Sequence, residues 1–143
     1  MEQMLIVKGP SVIERQTAKA RLTTLKDELK QIPGVMRVAT SANIPGGGHN
    51  WGTSMRKDGD AQHEDKDGRV VWIDPDFIET YGITVLAGRN FNPEIRSDME
   101  SVLVNEAALK TFGLGDPENG LKERIIIGGD TTAIVGVLKN YHW

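Results

Sequence analysis

The sequence predicts an α+β fold, in which a strand-helix-strand unit precedes a mixed, mostly antiparallel lobe with short helices. Three observations carry that prediction. An amphipathic helical stretch lies between two β-branched or alternating runs within the first 42 residues. Glycine is 16 of 143 residues, about 11% against a usual ~7%, which favours turns over long helices. In the remainder, short helices with capping residues alternate with strand-like runs.

Residues 4–8 are a β-branched run closed by Gly9-Pro10. Ser11 and Glu14 have the spacing of a capping box, and Val12, Ala18, Leu22, Leu25, Leu29 and Ile32 recur mostly at three- and four-residue steps to give one apolar stripe. Lys19, Arg21, Lys26, Asp27, Glu28 and Lys30 fall largely outside it. Pro33-Gly34 stops the helix, and residues 35–42 alternate as a second strand. The two strands suit either a parallel pair or a split ferredoxin-like arrangement, and periodicity does not choose between them.

The glycine-rich run over residues 43–50 reads as a hinge, dividing the chain into a first lobe of residues 1–42 and a second of residues 43–143. A hairpin follows, with arms at residues 51–57 and 69–73 and a polar tip between them. Asp74-Pro75-Asp76 is a helix start with Asp74 as N-cap, so residues 77–81 form a short helix around Phe77 that ends at Gly82. Residues 83–86 are a short strand, and Ala87-Gly88-Arg89-Asn90-Phe91 turns into a polar loop. A strand at 101–104 leads to Asn105, which caps a helix running to Phe112, where Gly113 supplies the left-handed stop. Asp116-Pro117 repeats the capped turn, and residues 123–127 and 131–139 make a second hairpin.

Seventeen basic and 20 acidic residues give a net charge of −3 with no Lys/Arg cluster, so nucleic acid is not an expected partner. With no cysteine there is no disulfide, thiolate ligand or Cys nucleophile. No apolar run approaches the ~18 residues that span a bilayer. Strand-like sequence near both ends reads as a segment cut from a longer chain. Gly46-Gly47-Gly48 lacks the surroundings of a phosphate loop, and the acidic tip from Asp58 to Asp67 lacks the ligand order of a calcium loop. His49, His63 and His142 have no zinc spacing, no serine stands in a nucleophile elbow, and Glu94, Glu106 and Glu118 form no fixed acid/base pair. No catalytic, cofactor-binding or metal-ligating residue is assigned. Trp51 and Trp72, on the two arms of the first hairpin, read as a cross-strand pair or, less commonly for such pairs, a ligand platform.

An ordered series of short motifs runs through the chain: residues 71–83, Leu86-Ala87-Gly88-Arg89-Asn90-Phe91, Val102-Leu103-Val104-Asn105-Glu106-Ala107-Ala108, Phe112-Gly113, Asp116-Pro117 and residues 134–142. This series resembles the MacB-like periplasmic core domain of FtsX-type ABC transporter permeases. Residues 5–10, the helix and Ile44-Pro45-Gly46 extend the resemblance over nearly the whole chain.

The resemblance implies that residues 1–42 are half of a porter-like lobe and that residues 43–143 are a Sabre-like lobe. A second strand-helix-strand normally completes the porter lobe; without it, open edges are expected to pair or exchange between copies. The resemblance further implies a noncatalytic domain on the periplasmic side of the bacterial inner membrane. Its expected partners are the transmembrane helices of its own permease, a cytoplasmic ATPase that binds the ATP, a second permease chain, and a periplasmic adaptor or substrate. The domain itself is expected to hold no cofactor, and to transmit conformational change or engage partners during export or lipoprotein or lipid release.

The signature residues take structural jobs under this resemblance. Gly88 turns the chain; Arg89 pairs a carboxylate such as Asp74 or Asp76, or fixes backbone carbonyls; Phe91 is a core anchor; Asn105 is an N-cap; Gly136 is a bulge or close-packing point. Asp74, Phe77, Gly82 and Gly113 complete the set. The rival reading is a small-molecule sensor domain with Trp51, Trp72, Arg89 and the acidic tip lining a pocket between lobes.

Overall fold

The computed structural model describes residues 3–7, 15–43 and 51–141. Its framework is a six-stranded sheet organised around β6 (Asp130–Leu138). Along one edge of β6 runs β4 (Ser101–Asn105), in parallel. The other edge is shared by two antiparallel strands, β5 (Arg124–Ile127) opposite its first half and β3 (Val85–Gly88) opposite its end. β5 pairs with β1 (Trp51–Lys57), and β1 with β2 (Lys66–Val70), all antiparallel. The central position of β6 explains why Ile134, Gly136, Val137 and Leu138 are all buried rather than alternating with exposed residues.

Val137 and Leu138 are neighbours on β6 and so point to opposite faces. They accordingly belong to different apolar clusters. Val137 joins Met55, Ala87, Val104, Leu109, Phe112, Leu114, Ile125 and Ile134, a cluster that draws on α3 (Glu106–Thr111). Leu138 joins Phe77 and Ile78 of α2 (Asp76–Thr80), with Ala39, Ile73, Leu103 and Tyr141 packed around them.

Helix ends follow local chemistry. Asn105 Oδ1 accepts from Ala108 N at 2.9 Å, and Asp116 Oδ1 from Asn119 N at 2.8 Å at the start of α4 (Pro117–Gly120). After α2 and α3 the chain turns through Gly82 (φ +63°) and Gly113 (φ +64°), a region that side-chain-bearing residues rarely enter.

The N-terminal unit differs from expectation. Its helix forms as α1 (Arg15–Lys30), but residues 3–7 pair with no strand among the described residues, and Leu5 is 86% exposed. Residues 35–42 run without a ladder apart from one antiparallel bridge, Ser41 to Ile73. A strand needs a partner for its N–H and C=O groups, and no described segment supplies one beyond that bridge.

The first hairpin also returns earlier than expected, at Lys66 rather than residue 69. A 3-10 turn at Gln62–Glu64 and an ion pair from Arg56 to Asp65 (2.7 Å) shorten its tip. Ser11, Glu14, His49, His142 and most of the glycine-rich hinge lie outside the described residues. No described helix is long and apolar enough to cross a membrane.

Candidate functional site: an ionic junction beside an apolar groove

Helix α1 buries no described side chain fully. Its half-buried positions are Ala18, Leu22, Lys26 and Leu29, at steps of four, four and three. Lys26 therefore sits on the packed face rather than outside the stripe, a correction to the sequence reading. Its side chain is only 16% exposed, and its ammonium reaches two carboxylates. Lys26 Nζ donates to Asp74 Oδ2 and, at 2.6 Å, to Asp76 Oδ2. Two more exposed pairs join the same segments, Lys30 to Asp76 at 3.4 Å and Arg37 to Glu79 at 2.9 Å. Burial opposes the charge on Lys26, but its bonds to Asp74 and Asp76 outweigh this and raise its pKa. The Lys26 ammonium in turn holds the Asp76 carboxyl below the usual range.

Asp74 was expected to cap α2, and its side chain is engaged elsewhere. Oδ2 accepts from Thr40 N and Thr40 Oγ1, both at 2.9 Å, as well as from Lys26. Pro75 stands at the cap position with helical φ/ψ (−60°, −27°), whereas a side-chain cap requires an extended residue there. Two backbone bonds flank the bridge: Ala42 N to Trp72 O (2.8 Å) and Asp74 N to Thr40 O (3.0 Å).

Arg89 pairs neither Asp74 nor Asp76. Its guanidinium grips Asp98 in a fork, Nη2 to Oδ1 at 2.8 Å and Nη1 to Oδ2, and Nη1 also donates to Asn90 O at 3.0 Å. The expected backbone-carbonyl contact is thus present, and the carboxylate is a different one. The 3-10 turn Arg96–Glu100 folds Asp98 back over the loop, where Asn92 N donates to Oδ2 at 2.8 Å. With its side chain 4% exposed, Asp98 is held down to about pKa 2, by the bond from Arg89 first and that from Asn92 second. Sequence reasoning missed Asp98, Lys26 and Thr40. The only signal for Lys26 was its place four residues after Leu22 and three before Leu29.

The other signature residues take the following places. Phe77 is buried, and its ring stacks at 4.4 Å between centroids on Tyr81. Gly88 lies opposite Gly136 across β3 and β6, and the β4–β6 register shifts beside Gly136. Phe91 is not a core anchor: it is half-buried in the loop that lies over the sheet, and it lines a groove.

That groove, about 840 Å³, runs between residues 69–75, residues 91–95 with Met99, and β4 with α3. Buried Phe112 and Ile125 line it, as do Trp72 (58% exposed) and Met99 (76% exposed). Asp74 and, from α1, Lys19 line it too. Of the residues proposed for a sensor pocket, Trp72 and Asp67 border the groove, Arg89 does not, and the Trp51 side chain lies outside the described atoms.

The fold is shared with extracytoplasmic parts of transport proteins. The periplasmic region of MacB from Actinobacillus actinomycetemcomitans superposes with a TM-score of 0.59 at 14% identity, covering 90% of this chain and 57% of that one. A domain of a permease protein from Porphyromonas gingivalis gives 0.54 at 22% identity, over 78% of this chain and 42% of that one. The extracellular domain of the noncanonic ABC-type transporter YknZ from Gram-positive bacteria gives 0.54 at 24%, over 80% and 55%. The chain therefore spans between 42% and 57% of the length of these structures. No curated protein shows significant similarity to it. An α+β fold of the kind found in these three structures is the class these features define. The chain belongs to the MacB-like periplasmic core domain family, whose profile matches residues 2–142.

Proposed function

We propose that this chain is a noncatalytic extracytoplasmic domain of an ABC transporter permease that passes conformational change between the membrane helices and partners outside the membrane. The observation that carries the reading is the family match over residues 2–142. The ionic junction supports it. α1 and residues 35–42 are joined to Asp74 and α2 by directed charge contacts from Lys26, Lys30 and Arg37, a route by which displacement passes between these segments. ATP hydrolysis belongs, in this reading, to a separate cytoplasmic subunit, and the division at the glycine-rich run into residues 1–42 and 43–143 supplies the hinge.

Two measurements test the proposal. The complete gene should encode an apolar stretch of about 20 residues shortly before residue 1. In membranes containing the full permease and its ATPase, Lys26→Glu should abolish transport while leaving ATP hydrolysis running. Turnover of any substrate by the isolated domain, or transport unaffected by Lys26→Glu, would overturn the reading.

The groove favours a second reading, a small-molecule-binding domain, because its volume of about 840 Å³ suits a drug-sized ligand. A true ligand at 100 times its Kd would add about 2.7 kcal/mol of stability, visible as a rise in melting temperature. A transmission module gives no such response.

A further inference from the structure

The segment of residues 71–75 has a role on each of its two sides. Toward α1 and residues 35–42 it carries the junction: Asp74 Oδ2 holds Lys26 and Thr40, and the backbone of Trp72 and Asp74 bonds that of Ala42 and Thr40. Toward the sheet the same five residues form one wall of the apolar groove, and Lys19 of α1 borders it as well. We propose that residues 71–75 are a strap whose position sets the width of the groove, and that α1 and residues 35–42 control the strap through Lys26 and Thr40 respectively.

The two walls of the groove are anchored unequally. Opposite the strap, the loop of residues 91–99 is fixed by Asp98, both of whose carboxylate oxygens are satisfied by Arg89, with Asn92 N donating in addition. In the strap, Asp74 Oδ1 is buried and has no hydrogen-bond donor among the described residues. An unsatisfied buried carboxylate oxygen is costly, and the cost is recovered when the strap lifts and water reaches it. The closed latch is thereby poised, whereas the Asp98 wall has no comparable incentive to move. At its end the strap stays pinned, because Asn90 Nδ2 donates to Pro75 O at 2.6 Å, so motion is confined to its middle. The strap is a property of this domain, and holds or fails independently of the transport reading.

Hydrogen exchange on the full chain tests the strap through the amides of Ala42 and Asp74, which bond across it. In Lys26→Met these two should exchange at least about tenfold faster, while amides of β6 keep their wild-type rates. Thr40→Val removes the hydroxyl bond to Asp74 with no change of charge, and should accelerate the same two amides to a smaller extent. 8-Anilinonaphthalene-1-sulfonate reports on the groove: its fluorescence should rise severalfold in Lys26→Met, and the rise should disappear when Met99→Glu is added. Unchanged exchange at Ala42 and Asp74 in both variants would overturn the strap, and so would acceleration shared by β6, which would mean general unfolding. Faster exchange with no change in dye fluorescence would overturn the link to the groove. Should Lys26→Met not fold, Thr40→Val decides with the same two readouts.

Discussion

Gly88 and Gly136 face each other in register across β3 and β6, and neither position has room for a methyl group. A Cβ on Gly136 would lie 2.2 Å from Arg89 O, and one on Gly88 would lie 2.4 Å from Val135 O. Both obstacles are backbone atoms, which cannot rotate aside. The close approach lets Arg89 N bond Val135 O at 3.0 Å, and it sets the point from which the Arg89 side chain reaches Asp98.

Gly136→Ala is therefore expected to destabilise the domain by roughly 1–3 kcal/mol through overpacking, with Gly88→Ala costing more because its φ is also +70°. Gly82→Ala is the control. Its φ is +63° but nothing lies within 4 Å, so only the conformational cost of roughly 1–2 kcal/mol applies. Urea midpoints of the three variants give the ranking.

The Asp98 carboxyl lies near 2 in the folded protein against an ordinary 3.8, and that difference fixes a pH window. A depressed carboxylate pKa contributes stability that is complete above the unfolded value and is lost as pH falls through the folded one. Wild-type stability should therefore decline between pH 4 and pH 2, and Asp98→Asn should flatten that part of the profile while lowering stability at neutral pH. Melting temperatures at half-unit pH steps show whether it does.

Asn105→Ala removes the acceptor for Ala108 N and should cost about 1 kcal/mol. Asn105→Asp should retain most of the stability, because the carboxylate still caps and also favours the positive end of the helix. Loss in both variants alike would show that the side chain matters for something other than capping.

Phe77 fills the smaller cluster beneath α2, at 1% exposure. Truncation to Ala should cost about 3–5 kcal/mol, measured by denaturant unfolding. Because Ile73 and Tyr141 pack on that cluster and also line the groove, the variant should expose them and raise dye binding as well. Phe91→Ala should cost much less, since its ring is only half-buried.

Elements signalled by residues close in sequence were legible without coordinates. The Asn105 and Asp116 caps, the Gly82 and Gly113 stops, helix α1 and the pairing of β5 with β6 rest on bonds or turns spanning few residues, so the information sits in one short window. The α+β class followed from the same windows taken in order. Which carboxylate Arg89 takes, the inward placement of Lys26, the parallel alignment of β4 on β6, and the open position of Phe91 were decided only when distant segments met. Asp74, Asp76 and Asp98 are chemically equivalent partners for a guanidinium. Their distances from it depend on the accumulated path of intervening turns, and no local pattern encodes that sum.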